Sequence, residues 1–256
     1  VKIIKLNAID STNSFLKEMA VNATLDSFTV VTAKEQTSGR GQMKNKWISE
    51  AGKNLTFSVF VRFDKFKIEN QKYLSFVVSR SVFEALTTYY LPKLAIKWPN
   101  DIMTVNKKIC GVLIENSLQK EYITSSVIGI GVNVNQEIFN DELSKATSLK
   151  NILGKEVDLD ELLNLILERL QENIQLLNDK EFSIIEENYL NVLYKKNIPS
   201  MFKTPNGELF MGKIIGVSQE GKLQLELDNE TLEEGFGETK STTSVKEFDL
   251  KEVSFA

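Results

Sequence analysis

The residues of this 256-residue chain whose types and spacing could do chemistry fall into three clusters. The first is Gly39-Arg40-Gly41, followed by Lys44, Lys46, Trp47 and Lys53. Flanking glycines let a backbone come close to an anion, and an arginine can fork two hydrogen bonds onto a phosphate or carboxylate. Trp47 adds a face on which a purine can stack. The second cluster is Lys97-Trp98-Pro99-Asn100-Asp101, with Lys108 and Gly111 close behind it. The polar run Asn106-Lys107-Lys108 reads as a tight hairpin turn. That places Lys108 at the hairpin tip and Asp101 at the hairpin's start, from where both can be brought towards one pocket. The third is Ser11-Thr12-Asn13, which can cap a helix and also grip a small polar ligand. Each cluster has a plainer reading beside the chemical one: a solvated basic loop, surface turn lysines and a simple cap.

Composition narrows the chemistry. The chain has no histidine, so Ser-His-Asp and Cys-His catalysis and His-ligated zinc are excluded. Cys110 is the sole cysteine, which fits a reducing compartment and reads as a small buried strand residue. Every Gly-Lys pair lacks the context of a Walker-type phosphate loop, and Gly129-Ile130-Gly131 sits inside a strand pattern rather than opening a helix. The formal net charge of −4 is a poor footprint for a nucleic-acid binder, and residues 198–256 hold six basic against eleven acidic side chains. The first residues lack a signal-peptide pattern, and no stretch approaches the ~18 apolar residues of a membrane span. The expectation is a soluble, cytoplasmic enzyme working through Lys, Arg, carboxylates, amides and hydroxyls.

The positioning elements follow from periodicity. Val1–Leu6, Phe28–Lys34, Asn54–Phe63, Leu94–Lys97, Ile102–Val105, Ile109–Asn116 and Tyr122–Val134 read as strands. Helices are predicted from the Ser11 region, over Gln71–Tyr90, and over Thr147–Leu153, Asp158–Leu177 and Phe182–Val192. The polar, Gly-punctuated stretch Gln36–Lys53 between two strands reads as a long functional loop. From Ile198 onward, short strands alternate with Gly turns, as in a small barrel. The predicted class is α+β: a mixed sheet flanked by helices in residues 1–197, then a small barrel in 198–256.

Taken together, Ser11-Thr12-Asn13, Gln36-x-x-Gly39-Arg40-Gly41 with Trp47, Lys97-Trp98-Pro99-Asn100-Asp101, Lys108-x-x-Gly111-x-x-x-Glu115 and Gly129-x-Gly131-x-Asn133 resemble the biotin protein ligases in order and spacing. The likeness is detailed over Ile4–Asn135. It implies a class II synthetase-like catalytic domain with an SH3-like C-terminal barrel. It also implies activation of biotin by ATP and Mg2+ to biotinyl-5′-AMP, then transfer to a lysine of a biotin carboxyl carrier domain. By resemblance, Arg40 and Lys108 offset the repulsion between carboxylate and phosphate. Ser11, Thr12, Asn13, Gln36 and Gln42 would line the biotin side, with Gly39, Gly41, Gly111, Gly129 and Gly131 permitting close approach. Trp47, Asn100 and Asn133 would contact the adenylate. Asp101 would orient either the incoming amine or a magnesium water, and the metal ligands stay open. Many relatives carry Arg after Gly-Arg-Gly where this chain has Gln42, so Lys44 or Lys46 is expected to substitute in part. The closeness of Ser11 to the first residue suggests the form without an N-terminal DNA-binding domain. The partner expectation is therefore a carrier domain, with no DNA and no membrane, and a homodimer left open. Lipoate ligases share the fold and a Lys-x-x-Gly element but not Lys-Trp-Pro-Asn-Asp, and a non-catalytic module would not need Arg40 and Lys108 together.

Overall fold

Small and apolar residues alternate along the central strands, so the two faces of one sheet differ in kind. The computed structural model describes residues 1–140, 143–231 and 240–256, with the backbone alone for Lys44, 228–231 and 240–242. The chain divides into two compact units, Val1–Tyr189 and Leu190–Ala256. The expected boundary lay further on, after Asn197. The segment ahead of it goes with the second unit because Lys196 bridges to Ile214 and the Asn197 N–H donates to the Ile214 carbonyl.

In the first unit the strands are β1 (Lys2–Ile9), β2 (Thr29–Gln36), β3 (Leu55–Lys67), β4 (Ala95–Lys97), β5 (Asp101–Thr104), β6 (Lys107–Gln119) and β7 (Tyr122–Val132). They form one mixed sheet in the order β1-β2-β3-β7-β6-β5-β4. Only β1 and β2 run parallel, and the crossover between them carries helix α1 (Thr12–Asn22). One face is apolar and takes the longer helices α2 (Gln71–Thr87) and α4 (Leu159–Asn178). It is built from Phe57, Val59, Ile128, Ile130 and Val112, all almost fully buried. Two shorter helices are α3 (Leu149–Leu153) and α5 (Phe182–Leu190). Burying each such large side chain contributes about 1.5–3 kcal/mol, so this face anchors the sheet.

The other face is graded. Val31, Phe60 and Val127 pack with Leu16 of α1 into an apolar cluster. Further along β7 and its neighbours the same face holds Thr56, Ser58, Gly111, Gly129 and Gly131, by the pairs Ser58↔Gly129, Thr56↔Gly131 and Gly111↔Gly131. The helix seals one end, and the small residues leave a floor at the other.

The second unit is a five-stranded antiparallel sheet. Its strands are β8 (Pro199–Lys203), β9 (Leu209–Val217), β10 (Leu223–Thr231), β11 (Lys240–Phe248) and β12 (Ser254–Phe255), in the order β11-β10-β9-β8-β12. Phe202 and Leu225 lie at its core. Among the described residues no helix is long and apolar enough to cross a membrane.

One expectation about the hairpin is corrected. The turn between β5 and β6 is Val105-Asn106, both at positive φ (48° and 63°), and Thr104 pairs with Lys107. Lys108 is therefore the second residue of β6, not the tip. A β-branched valine is disfavoured at positive φ, so the polar Asn106-Lys107-Lys108 drew the turn's start one residue and its end two residues too late.

Candidate functional site

The site is assembled on the glycine floor. Ser11 caps α1, accepting from the Ser14 N–H, and this sets Thr12 and Asn13 at the helix start, directly over β7 and β3. The two side chains are 3% exposed. Gln36, the last residue of β2, accepts at Oε1 from the Thr12 N–H (2.8 Å) and hydroxyl (3.0 Å). The buried Ser58 hydroxyl donates to Asn13 Oδ1 at 2.5 Å and lies 2.7 Å from Thr12 Oγ1. Asn13 Nδ2 donates to Glu115 at 3.0 Å and to the Leu113 carbonyl at 3.4 Å. A continuous polar chain thus runs Gln36–Thr12–Ser58–Asn13–Glu115. It closes only because position 129 is glycine: a Cβ there would stand 2.2 Å from Asn13 Oδ1.

The Gln36–Lys53 stretch, read from sequence as a long mobile loop, folds back as a narrow hairpin between Gly39 and Trp47. The Trp47 N–H donates to the Gly39 carbonyl (2.9 Å), Arg40 bridges to Lys46, and Gly41 donates to Asn45 (2.7 Å). A Cβ at Gly39 would meet the Trp47 carbonyl oxygen at 2.4 Å, so the close approach requires glycine. Gln42 begins a single 3-10 turn in which Met43 has φ of 52°. The Lys44 side chain, offered above as a substitute cation, lies outside the described residues. Lys46 is exposed. A cavity of about 480 Å³ is lined by Gln36, Gly39, Arg40, Gly41, Trp47 and Ser49.

The fold-back lays the Trp47 indole on the floor. A Cβ at Gly131 would meet Trp47 Cε2 at 2.5 Å, and one at Gly111 would meet Trp47 Cζ3 at 3.2 Å and Lys108 Nζ at 2.9 Å. The indole N–H is buried without a hydrogen-bond partner in the protein. Such a donor is available to a water or to a ligand acceptor. Lys108 Nζ sits 5.7 Å from the indole centroid and 2.6 Å from Asp101 Oδ1. Asp101 faces the same way because it pairs with Gly111.

The two cations singled out from sequence both stand on this face, each with a carboxylate of its own. Arg40 donates to both oxygens of Glu115 (2.9 and 3.3 Å) and to Ser14 Oγ (3.3 Å). Glu115 follows Gly111 by two alternations on β6, so it lies on the glycine side. Burial raises its carboxyl pKa, but hydrogen bonds from Lys17, Asn13 and Arg40 outweigh that and hold it below the usual glutamate range. Lys97 is also lowered, but for the opposite reason, since here burial dominates. Burial pushes its ammonium below the ordinary lysine value, Asp101 opposes this, and Lys108 and Lys145 add to it.

Asn100 holds a different post: its amide donates to the Val112 carbonyl, and its carbonyl accepts the Val112 N–H, fastening the turn before β5 onto β6. Asn133 is buried just beyond β7, where its N–H donates to Ile109 and its carbonyl accepts from Leu149. Cys110 is fully buried, and burial drives its thiol pKa far up. Several site residues were given no role from sequence: Ser58, Lys17 and Glu115, the last quoted only within a motif. Ser58 could have been found from the alternation of small polar residues in Leu-Thr-Phe-Ser, and Glu115 from its even spacing to Gly111.

A floor that admits planar or anionic groups, a buried polar chain at one end and two opposed cation–carboxylate pairs define a site for bringing anions together. The family model for the biotin/lipoate A/B protein ligase family matches residues 6–133. The biotin protein ligase from Aquifex aeolicus, solved in complex with biotin and ATP, is 32% identical with a TM-score of 0.76, over 100% of this chain and 98% of that one. The bifunctional ligase/repressor BirA of Bacillus spizizenii is 31% identical over 88% of this chain and 69% of its own length. The biotin–[acetyl-CoA-carboxylase] ligase of Paracoccus denitrificans is 31% identical over 61% and 66%. The chain belongs to the biotin/lipoate A/B protein ligase family.

Proposed function

We propose that this protein is an ATP-dependent biotin protein ligase that modifies a lysine of a biotin carboxyl carrier domain. The observation that carries the reading is the glycine floor, with Asn13, Thr12 and Gln36 at one end and the Arg40 and Lys108 side chains on the same face. In the first step a biotin carboxylate oxygen attacks the α-phosphorus of ATP. The bond to the leaving pyrophosphate breaks, and biotinyl-5′-AMP remains. In the second, the carrier lysine amine attacks the acyl carbon, AMP departs with the bonding pair, and the amine proton goes to solvent or a nearby base.

The protein supplies positioning and charge. Gln36 keeps its Nε2 donor, since Oε1 is taken by Thr12, and with Asn13 and Ser58 it offers the polar edge that suits a ureido ring. Ser11 sets that edge by capping α1. Gly39, Gly41, Gly111, Gly129 and Gly131 keep side chains off the path of the ligand, and Gln42 is assigned to the biotin side by resemblance alone. Trp47 offers its face to adenine and its unpartnered N–H to an acceptor on the ligand. Arg40 and Lys108 meet the charge that builds between carboxylate and phosphate, and preorganised donors of this kind are worth roughly a hundred- to a thousand-fold in rate. Asp101 orients Lys108 by their ion pair and offers a carboxylate to the incoming amine or to a magnesium water. Asn100 and Asn133 hold the strand ends that frame the nucleotide side. Among the described residues no three His, Cys, Asp or Glu side chains gather to hold a metal ion. Magnesium in such sites is held by substrate phosphates with one or two carboxylates, and no step is routed through it.

The second unit is read as the family's SH3-like barrel, and the Gln36–Lys53 segment as one that ligands fasten. The deciding experiment incubates the protein with ATP, magnesium, biotin and a carrier domain, and reads the carrier's mass, with Arg40→Ala in parallel. Addition of one biotinyl group that Arg40→Ala abolishes supports the reading. A mass shift with lipoate in place of biotin would assign the lipoate branch of the family. No shift with either would leave a binding module. Protease nicking of Gln36–Lys53 that biotin and ATP fail to slow would remove the ligand-fastening role.

A further inference from the structure

Glu115 carries more partners than a pairing with one cation needs. It is 16% exposed, yet it takes two hydrogen bonds from Arg40, one from Lys17 at 2.9 Å and one from Asn13. Arg40 and Lys17 are close to half exposed. Asn13, Ser14 and Lys17 are spaced i, i+1, i+4 on α1, so one turn of that helix presents an amide, a hydroxyl and an ammonium around the carboxylate and guanidinium. The charge count at the site is two cations to one anion. When Arg40 turns away, the carboxylate keeps Lys17 and Asn13 and is not left bare. That is the property of a resting place rather than of a fixed bridge, since removing the one partner of a part-buried charge is otherwise strongly unfavourable.

We propose that Glu115 is a positioning residue for Arg40: it holds the guanidinium beside the polar chain that ends at Asn13, and Lys17 balances the carboxylate when Arg40 moves to a nucleotide phosphate. The proposal rests on the ligase reading above and deepens it. Because Asn13 touches Glu115 and is itself fixed by Ser58, a ligand on Asn13 is communicated to Arg40 through one carboxylate. Lys17 and Glu115 then act in opposite senses. Without Glu115 the guanidinium is freed but not placed. Without Lys17 it is bound too well, because Arg40 becomes the sole full charge on the carboxylate.

The test uses the full chain with Glu115→Gln, Glu115→Asp, Lys17→Met and Arg40→Ala. Biotin-dependent ATP–pyrophosphate exchange is measured over a range of ATP concentrations. Trypsin cleavage after Arg40 is followed by mass spectrometry, with cleavage after Lys46 as an internal reference. Glu115→Gln keeps an acceptor for Asn13 while removing the charge. It is expected to lower kcat about tenfold without raising KM for ATP, and to speed cleavage after Arg40 by a similar factor, as loss of a charge-assisted bond implies. Lys17→Met is expected to raise KM for ATP with kcat nearly kept, and to slow cleavage after Arg40. Glu115→Asp should recover part of kcat. In the Arg40→Ala background, Glu115→Gln should have no further effect. An equal fall on Glu115→Gln with and without Arg40, or the same direction of change for Glu115→Gln and Lys17→Met, would overturn the proposal. Wild-type protein without biotin-dependent exchange would refute the ligase reading instead, and the cleavage rates would still decide whether Glu115 holds Arg40.

Discussion

Two glycines one alternation apart on β7 should fail in different ways when changed to alanine, and the difference follows from what each new methyl meets. At Gly129 it meets Asn13 Oδ1 at 2.2 Å, and this amide has nowhere to go. Its oxygen is held by Ser58 at 2.5 Å and its nitrogen by Glu115 at 3.0 Å, and the residue is 3% exposed. Displacing it forfeits one neutral and one charge-assisted hydrogen bond, together about 2–4 kcal/mol. That corresponds to a fall of roughly 5–15 °C in the melting of a unit this size. At Gly131 the methyl meets the Trp47 indole at 2.5 Å, whose N–H has no protein partner to lose and which belongs to a surface hairpin. The indole can lift, at a stability cost below about 1 kcal/mol. Lifting it removes a stacking face, so KM for ATP should rise roughly tenfold, the scale of about 1–2 kcal/mol of base stacking. Denaturant unfolding and ATP–pyrophosphate exchange on Gly129→Ala and Gly131→Ala separate the two. Equal destabilisation, or a KM for ATP that Gly131→Ala leaves unchanged, would refute the assignment of the floor.

Gln136→Ala should destabilise the first unit by about 2–4 kcal/mol, because its Oε1 accepts from the buried Asn54 amide (2.6 Å) and the Glu50 N–H (3.0 Å), each left without an acceptor; an unchanged urea midpoint would contradict this. Cys110 should resist thiol reagents in the native protein and react only on unfolding, since burial raises its pKa. Its contribution to stability is complete below the unfolded thiol value of about 8.5 and is lost as pH rises beyond it. Glu115 behaves in the opposite sense. Its folded pKa is lowered, so its contribution is present above the unfolded value of about 4.3 and is lost as pH falls through the lower folded one. Urea midpoints measured from pH 6 downward should fall less steeply for Glu115→Gln than for the wild type, and parallel curves would exclude the assignment.

What the residues reveal before folding depends on how local the cause is. Strand and helix types were legible because alternation and the 3.6-residue stripe are local: the stripe from Leu162 to Ile174 is the buried face of α4, and Leu-Thr-Phe-Ser-Val-Phe is β3. The ends were less legible. β3 runs on to Lys67 past Asp64-Lys65, where the register shifts and Lys65 takes φ of 51°, so a polar pair interrupts the pattern without ending the strand. The hairpin turn slipped for a related reason, since Val105 carries no turn signal. The Gly-Arg-Gly segment was recognisable as chemistry, but its fold-back onto Trp47 depends on backbone pairs across the segment that no periodicity reports. Glu115 was hardest. Its significance lies in side chains from α1 and the Gly-Arg-Gly segment, remote in sequence and brought together only by the sheet.

The pairing of each cation with its own carboxylate explains how one face can hold opposite charges near each other and still receive anions. An arginine and a lysine beside a nearly apolar glycine floor would repel each other and draw in any stray anion if both were bare. Asp101 and Glu115 lie on the same side of the sheet as Gly111, one by pairing across β5 and β6 and the other by alternation along β6. They therefore screen the two cations separately, and the neutral floor lies between the pairs. The pairs differ in what surrounds them. Lys108 and Asp101 lie near Lys97 and Lys145, so lysines outnumber the carboxylate there and that corner favours a further anion. Arg40 and Glu115 lie beside Lys17, which can take over the carboxylate. On the reading proposed above, a nucleotide phosphate replaces Glu115 as the partner of Arg40, while Lys108 meets the same charge without leaving Asp101: one cation is delivered to the ligand and the other works from a fixed place.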